Sequence, residues 1–112
     1  MSAAWKDEPQ YIELKKGFEL SLQERKLAVE QVLVDLEKGA NLEELAQRFH
    51  FLVHKLAGVA RSFDYVKLAD LSESEDECWD QILSSKQAFQ KNTLVDSIKK
   101  LLSELNSYSC KI

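Results

Sequence analysis

Glycine and proline are scarce: three glycines and one proline occur in 112 residues. Both residues punctuate tight turns, so their scarcity argues against a sheet with many hairpins and for a few long helices. Cysteine is rarer than glycine. Cys78 and Cys110 stand without metal-ligand spacing, and they read as buried or incidental thiols of a reducing compartment rather than as a disulfide or a zinc site. No apolar run approaches the roughly 20 residues needed to span a bilayer, and the first eight residues contain no signal-peptide core. The expectation is a cytoplasmic protein away from membranes. A basic surplus is also missing. The formal net charge of −4 leaves no basic face for nucleic acid or for an anionic lipid surface. Finally, there is no Gly-x-x-x-x-Gly-Lys-[Ser/Thr] loop, no glycine-rich nucleotide lid and no acidic magnesium cluster expected on the face of either histidine. Autonomous kinase activity is therefore not expected, nor a metal or cofactor of the chain's own.

What is present suits a single domain over residues 1–112, with 45% hydrophobic and 30% charged residues. A short first helix is expected from about Glu8 to Gly17, with Pro9 in its first turn and a bend at Gly17. The second, from about Phe18 to Lys38, carries two apolar series with a period of seven: Leu22, Val29, Leu36 and Leu20, Leu27, Val34. Gly39 stops it. Asn41, with Glu44 three residues on, resembles a capping box for a third helix that ends near Arg61 or Ser62. A fourth starts around Asp64, read as its N-cap, and continues through Leu68, Leu71, Cys78, Trp79 and Ile82. Its middle, residues 72–77, is a polar run read as a solvated face rather than a regulatory acidic patch. The last helix occupies about Gln87 to Leu105, with Leu94, Ile98, Leu101 and Leu105 as its stripe. Trp5 and Trp79 read as packing residues. The expected fold is an all-α antiparallel four-helix bundle with a short N-terminal cap helix, and nothing demands more than a monomer.

The stretch from Phe49 to Tyr65 carries the chemistry. At about 100° per residue, Leu45, Leu52, Leu56 and Phe63 fall within about 20° of the side opposite His54, flanked by Leu42, Phe49, Val59 and Ala60. That side faces the core. Around His54 itself lie Gln47, His50, Phe51, Ala57, Gly58 and Arg61, so the imidazole points outward. A neutral imidazole is a good nucleophile near neutral pH. His50 and His54 form a His-x-x-x-His pair, yet no third ligand is evident, and a hydrogen-bonding or tuning role for His50 outweighs metal binding.

His54-Lys55-Leu56-Ala57-Gly58-Val59-Ala60, followed by Phe63, resembles the His-x-Leu-x-Gly-x-Ala-x-x-Phe signature of histidine-containing phosphotransfer (HPt) domains. The resemblance implies a four-helix bundle whose histidine exchanges phosphate with an aspartate of a receiver domain. It implies that His54 accepts the phosphoryl group and that Mg2+ belongs to the partner receiver. The implied partners are receiver domains of response regulators or hybrid histidine kinases in two-component signalling. On this reading Gly58 gives the phosphoryl group clearance, against the alternative that it lets another helix pack closely. Arg61 reaches back to neutralise the phosphate and Lys55 helps from the flank, against ordinary surface charge. Gln47, His50, Phe51 and Ala57 form the docking surface, extended by Phe18 and Leu22. The chain departs from the commonest pattern at Ala57, where lysine or arginine is usual, at Asp64, where glycine is usual, and at Glu75, which breaks a leucine-rich run. The alternative is a bundle of the same kind acting only as a protein-binding adaptor or inhibitor.

Overall fold

The computed structural model describes residues 8–109. Trp5 and Cys110 lie outside the described residues. Within them the chain forms four helices, α1 (Pro9–Glu37), α2 (Leu42–Ala60), α3 (Val66–Ser84) and α4 (Lys91–Ser109), and no strand. The fold is an all-α four-helix bundle, 47 × 28 × 17 Å in extent. No described helix is long and apolar enough to cross a membrane.

One difference from expectation lies at the start. No separate cap helix and no bend occur: α1 runs unbroken through Gly17 for 29 residues. A single glycine costs a helix about 1 kcal/mol relative to alanine. Here Tyr11, six residues before it, and Phe18, just after it, are both buried on the same side, so packing holds the helix together across the weak point. Gly39 does end α1, at φ +86°, a left-handed conformation that glycine takes without a Cβ clash. Asn41 caps α2, its Oδ1 accepting the Glu44 N–H at 3.0 Å. After Ala60 the chain tightens into a 3-10 turn at Arg61–Phe63. Asp64 then takes a left-handed φ of 66°. It is the turn residue and not the cap of α3, a place filled by Tyr65.

Contacts at the two ends fix the up-and-down order. At one end Tyr11 donates to the Ser62 carbonyl, Tyr65 donates to Glu19 at 2.7 Å and packs edge-on to Tyr108. Burial, and then the Glu19 carboxylate, push the Tyr65 phenol above its ordinary range. At the other end Trp79 of α3 meets Phe89, which precedes α4, edge-on at 5.0 Å. The core between them contains Leu22, Val29, Val32, Leu36, Leu45, Phe49, Val53, Leu56, Leu68, Trp79 and the α4 stripe Leu94, Ile98, Leu101, Leu105.

Several sequence expectations move once the helices meet. Of the two heptad series on α1, Leu22, Val29 and Leu36 are buried, whereas Leu20, Leu27 and Val34 are exposed. They sit on the far side of the helix from Phe18, Val29 and Leu36. On α2 the core side is rotated toward α3, its most extensive neighbour. Ala46 and Val53 are buried, and Leu42, Leu52, Val59 and Phe63 only partly so. Cys78 is exposed as a free thiol. The polar run of α3 is not simply a solvated face. Ser72 and Glu75 are buried, and Ser72 Oγ and Glu75 Oε1 have no hydrogen-bond partner among the described residues.

Candidate functional site

α2 presents His54 where the sequence placed it, outward, with the side chain 69% exposed. The rotation of α2 toward α3 adds what the sequence did not show. His54 Nδ1 lies 3.0 Å from Asp76 Oδ2, and His50 Nε2 lies 2.8 Å from Asp76 Oδ1. One carboxylate of α3 thus serves both imidazoles of α2. An ionised carboxylate only accepts hydrogen bonds, so each contacting ring nitrogen carries its proton as donor. In neutral His54 this puts hydrogen on Nδ1 and leaves the lone pair on Nε2, the nitrogen away from Asp76. The ring is held in one tautomer and one orientation, with its nucleophilic atom outward. Asp76 itself is only about a quarter exposed, which strengthens its hydrogen bonds relative to those of a solvated carboxylate.

The surroundings of this ring are acidic. His50, His54, Glu73, Asp76, Glu77 and Asp80 line one open cleft between α2 and α3. The sequence reading expected no acidic cluster on this face, because these carboxylates belong to a different helix. No group of three or more His, Cys, Asp or Glu among the described residues is arranged to hold a metal ion. The two histidines converge on a carboxylate, their ring centres 6.2 Å apart, and not on a shared vacant point.

The cations expected beside His54 are engaged elsewhere. Arg61 is half-exposed and grips Glu73 with two donors, Nε to Oε2 and Nη2 to Oε1, each at 3.0 Å. Its Nη2 also donates to Asp70 at 2.6 Å. Hydrogen bonds to Glu73, and after it to Asp70, push the Arg61 guanidinium still further up its always-charged range. Lys55 sits on the other flank, Nζ 5.0 Å from the centre of the Phe51 ring, a cation–π contact. Ala57 is half-buried on the α3 side of the helix and supplies no charge.

Gly58 is exposed, and a Cβ there would meet nothing within 4 Å. The alternative that this glycine admits a closely packed helix is thereby excluded. The expected docking residues divide in two. Gln47 and Phe51 line a shallow groove between α1 and α2 with Ala28, Arg48 and Leu52, and Phe51 is 59% exposed. His50 belongs instead to the acidic cleft. Phe18 and Leu22, assigned to the docking patch from sequence, are core residues. Phe18 stacks on Phe63 at 5.1 Å and meets Tyr65 edge-on, so neither ring face is open to a partner.

Asp76 is the residue the sequence reading missed. A signal was there: it lies three residues before Trp79 and four after Ser72, beside the buried stripe of α3. No protein-family model, no curated protein and no solved structure matches the chain, so the chemistry of the cleft rests on its own residues.

Proposed function

We propose that this chain is a phosphorelay carrier of the HPt kind, a cytoplasmic monomer without kinase activity that takes a phosphoryl group onto His54 from a receiver-domain aspartate and passes it to another receiver. The observation that carries the reading is an exposed imidazole whose Nδ1 is tied to Asp76 and whose Nε2 faces outward. Nε2 attacks the phosphorus of the aspartyl phosphate in line. The P–O bond to the aspartate breaks, its electrons leave with the carboxylate, and the Nε2–P bond forms. Such transfers need positioning and charge neutralisation more than proton shuttling. Mg2+ held by the receiver would supply part of that charge neutralisation.

Asp76 acts in both directions. As Nε2 attacks, positive charge develops on the ring and the carboxylate stabilises it through Nδ1–H. In onward transfer the same bond keeps the proton on Nδ1, so the ring leaves as neutral imidazole. Gly58 stands one turn past His54 on the outward face with open space around it, which suits the approach of a receiver. Phe51 offers an apolar contact beside it.

A second reading, an adaptor or inhibitor that never carries phosphate, is favoured by one observation: Lys55 and Arg61 are both turned to other partners. The test that separates them is incubation with phosphorylated receiver domains. A carrier acquires a label that is acid-labile and alkali-stable, as a phosphoramidate bond is; an adaptor binds and acquires none. Gly58→Leu should slow labelling by about tenfold, since a misplaced reacting atom costs rate steeply. Its melting temperature should rise by a few degrees, because leucine is the better helix former and a Cβ there meets nothing within 4 Å. Unaltered labelling kinetics in that variant would remove the clearance role.

A further inference from the structure

The acidic cleft bears on how the phosphoryl group is shared between His54 and its donors, an inference that rests on the carrier reading. Four carboxylates, Glu73, Asp76, Glu77 and Asp80, border the cleft with the two histidines. A phosphoryl group on Nε2 brings a further charge of about −2 to the same face. On that side the available guanidinium is that of Arg61, seven residues past His54 and so about 10.5 Å along the helix axis. Helical side chains lean toward the N-terminus, which brings its head back toward His54. The guanidinium is already divided between Asp70 at 2.6 Å and Glu73 at 3.0 Å. If it turned to the phosphoryl group, Glu73, which lines the same cleft, and Asp70 would both be left without it. Whichever anion it serves, another goes without. Lys55 lies on the opposite flank over Phe51.

We propose that Asp70 and Glu73 withhold Arg61 from His54 and so keep phosphohistidine sparsely populated, making this chain a carrier that gives its phosphoryl group up readily. Arg61 is in this sense a positioning residue for charge, and the pair of carboxylates sets how much of that charge His54 can use. The device suits tuning. All three side chains are substantially exposed, so their mutual attraction is weak enough to be re-partnered. A dianion a few ångströms away is nonetheless sensitive to each neighbouring charge, by about a factor of ten for an exposed unit charge screened by water.

The exchange with a small donor isolates this property from any docking. Incubated with phosphoramidate, Nε2 attacks phosphorus, the donor's N–P bond breaks, ammonia leaves and the Nε2–P bond forms. At fixed phosphoramidate, ammonia and pH, the ratio of phosphorylated to free protein, read by intact mass, depends on the energy of phosphohistidine. The double variant Asp70→Asn/Glu73→Gln should raise that ratio about tenfold or more over the unsubstituted protein. Adding Arg61→Gln to the pair should lower the ratio several-fold more than Arg61→Gln alone lowers it in the unsubstituted protein, where Asp70 and Glu73 hold the guanidinium. Circular dichroism should show all of them equally helical. A ratio that does not move in the double variant overturns the proposal. Equal losses on removing Arg61 in the two backgrounds overturn the assignment to Arg61, since the removed carboxylate charges then account for the gain by themselves. Absence of label from phosphoramidate and from every phosphorylated receiver overturns the carrier reading and this inference with it, whereas label from receivers with an unmoved ratio overturns this inference alone.

Discussion

Replacing His54 by glutamine should abolish labelling by phosphorylated receivers, and replacing Asp76 by asparagine should preserve the label while slowing its arrival by about tenfold to a hundredfold, the cost of removing the carboxylate partner that orients a metal-bound histidine. Glutamine offers no nucleophilic nitrogen. Because the His54 side chain is largely exposed, its loss should change stability by no more than about 0.5 kcal/mol. Total loss of label with unchanged melting is therefore the expected pair of results. Label surviving in His54→Gln would put the acceptor elsewhere, with His50 the first place to look.

The asparagine variant separates orientation from nucleophilicity. An amide has one accepting oxygen and one donating NH2 where the carboxylate has two acceptors. Asp76 accepts from His50 and from His54 together; asparagine can accept from only one of them in the same geometry. If its NH2 turns to His54, Nδ1 must become the acceptor and the proton moves to Nε2, covering the lone pair that attacks phosphorus. Ring nitrogen chemical shifts of His54 report that change directly, and a purely structural role for Asp76 would leave them as they were. A normal transfer rate in Asp76→Asn, with the tautomer shifted, would show that the held tautomer does not matter.

How far these features could be read in advance depends on whether one helix or two were needed. The exposure of His54 follows from Leu45, Leu56 and Phe49 on one helix, and it holds. So do the Asn41 cap and the stop at Gly39, both local. The heptads of α1 show where one helix is not enough. Leu20, Leu27 and Val34 repeat with the same period as Leu22, Val29 and Leu36, and periodicity alone does not say which series turns inward. Phe18, Val32 and Tyr11 join the second series and decide it, which also takes Phe18 and Leu22 away from any docking patch. Asp76 shows the same boundary more sharply. Nothing within residues 72–77 says that one carboxylate of a polar run will meet two imidazoles 22 and 26 residues earlier. That meeting is set by the register of α3 against α2, a property of their packing. Arg61 follows His54 on the same helical face, but its partners on α3, Glu73 and Asp70, are set by that register.

That register has an identifiable anchor, and removing it should produce the largest stability effect in the protein. Trp79 is completely buried; its Nε1 donates to Ser97 Oγ of α4 at 3.1 Å, and its ring stands edge-on to Phe49 of α2 at 6.3 Å and to Phe89 at 5.0 Å. Trp79→Ala should cost about 3–5 kcal/mol, a large part of the roughly 5–15 kcal/mol that holds a domain folded, and the denaturant midpoint should fall accordingly. Trp79→Phe keeps most of the apolar contact and loses the Ser97 bond, so about 1–2 kcal/mol is expected. The phenylalanine variant, still folded, carries the link to the site. Trp79 lies one turn beyond Asp76 on α3, and Phe49 immediately precedes His50 on α2. The aromatic contact between them therefore lies beside the level at which the carboxylate meets the two imidazoles. A smaller ring lets α3 settle differently against Phe49, and the 3.0 Å contact of Asp76 with His54 should loosen with it. The expected result is a transfer rate that falls in Trp79→Phe under conditions where the protein is fully folded, accompanied by the same shift in His54 ring-nitrogen signals as in Asp76→Asn. If Trp79→Phe keeps both rate and ring signals while losing stability, the core holds the bundle together without setting the geometry of its reactive histidine.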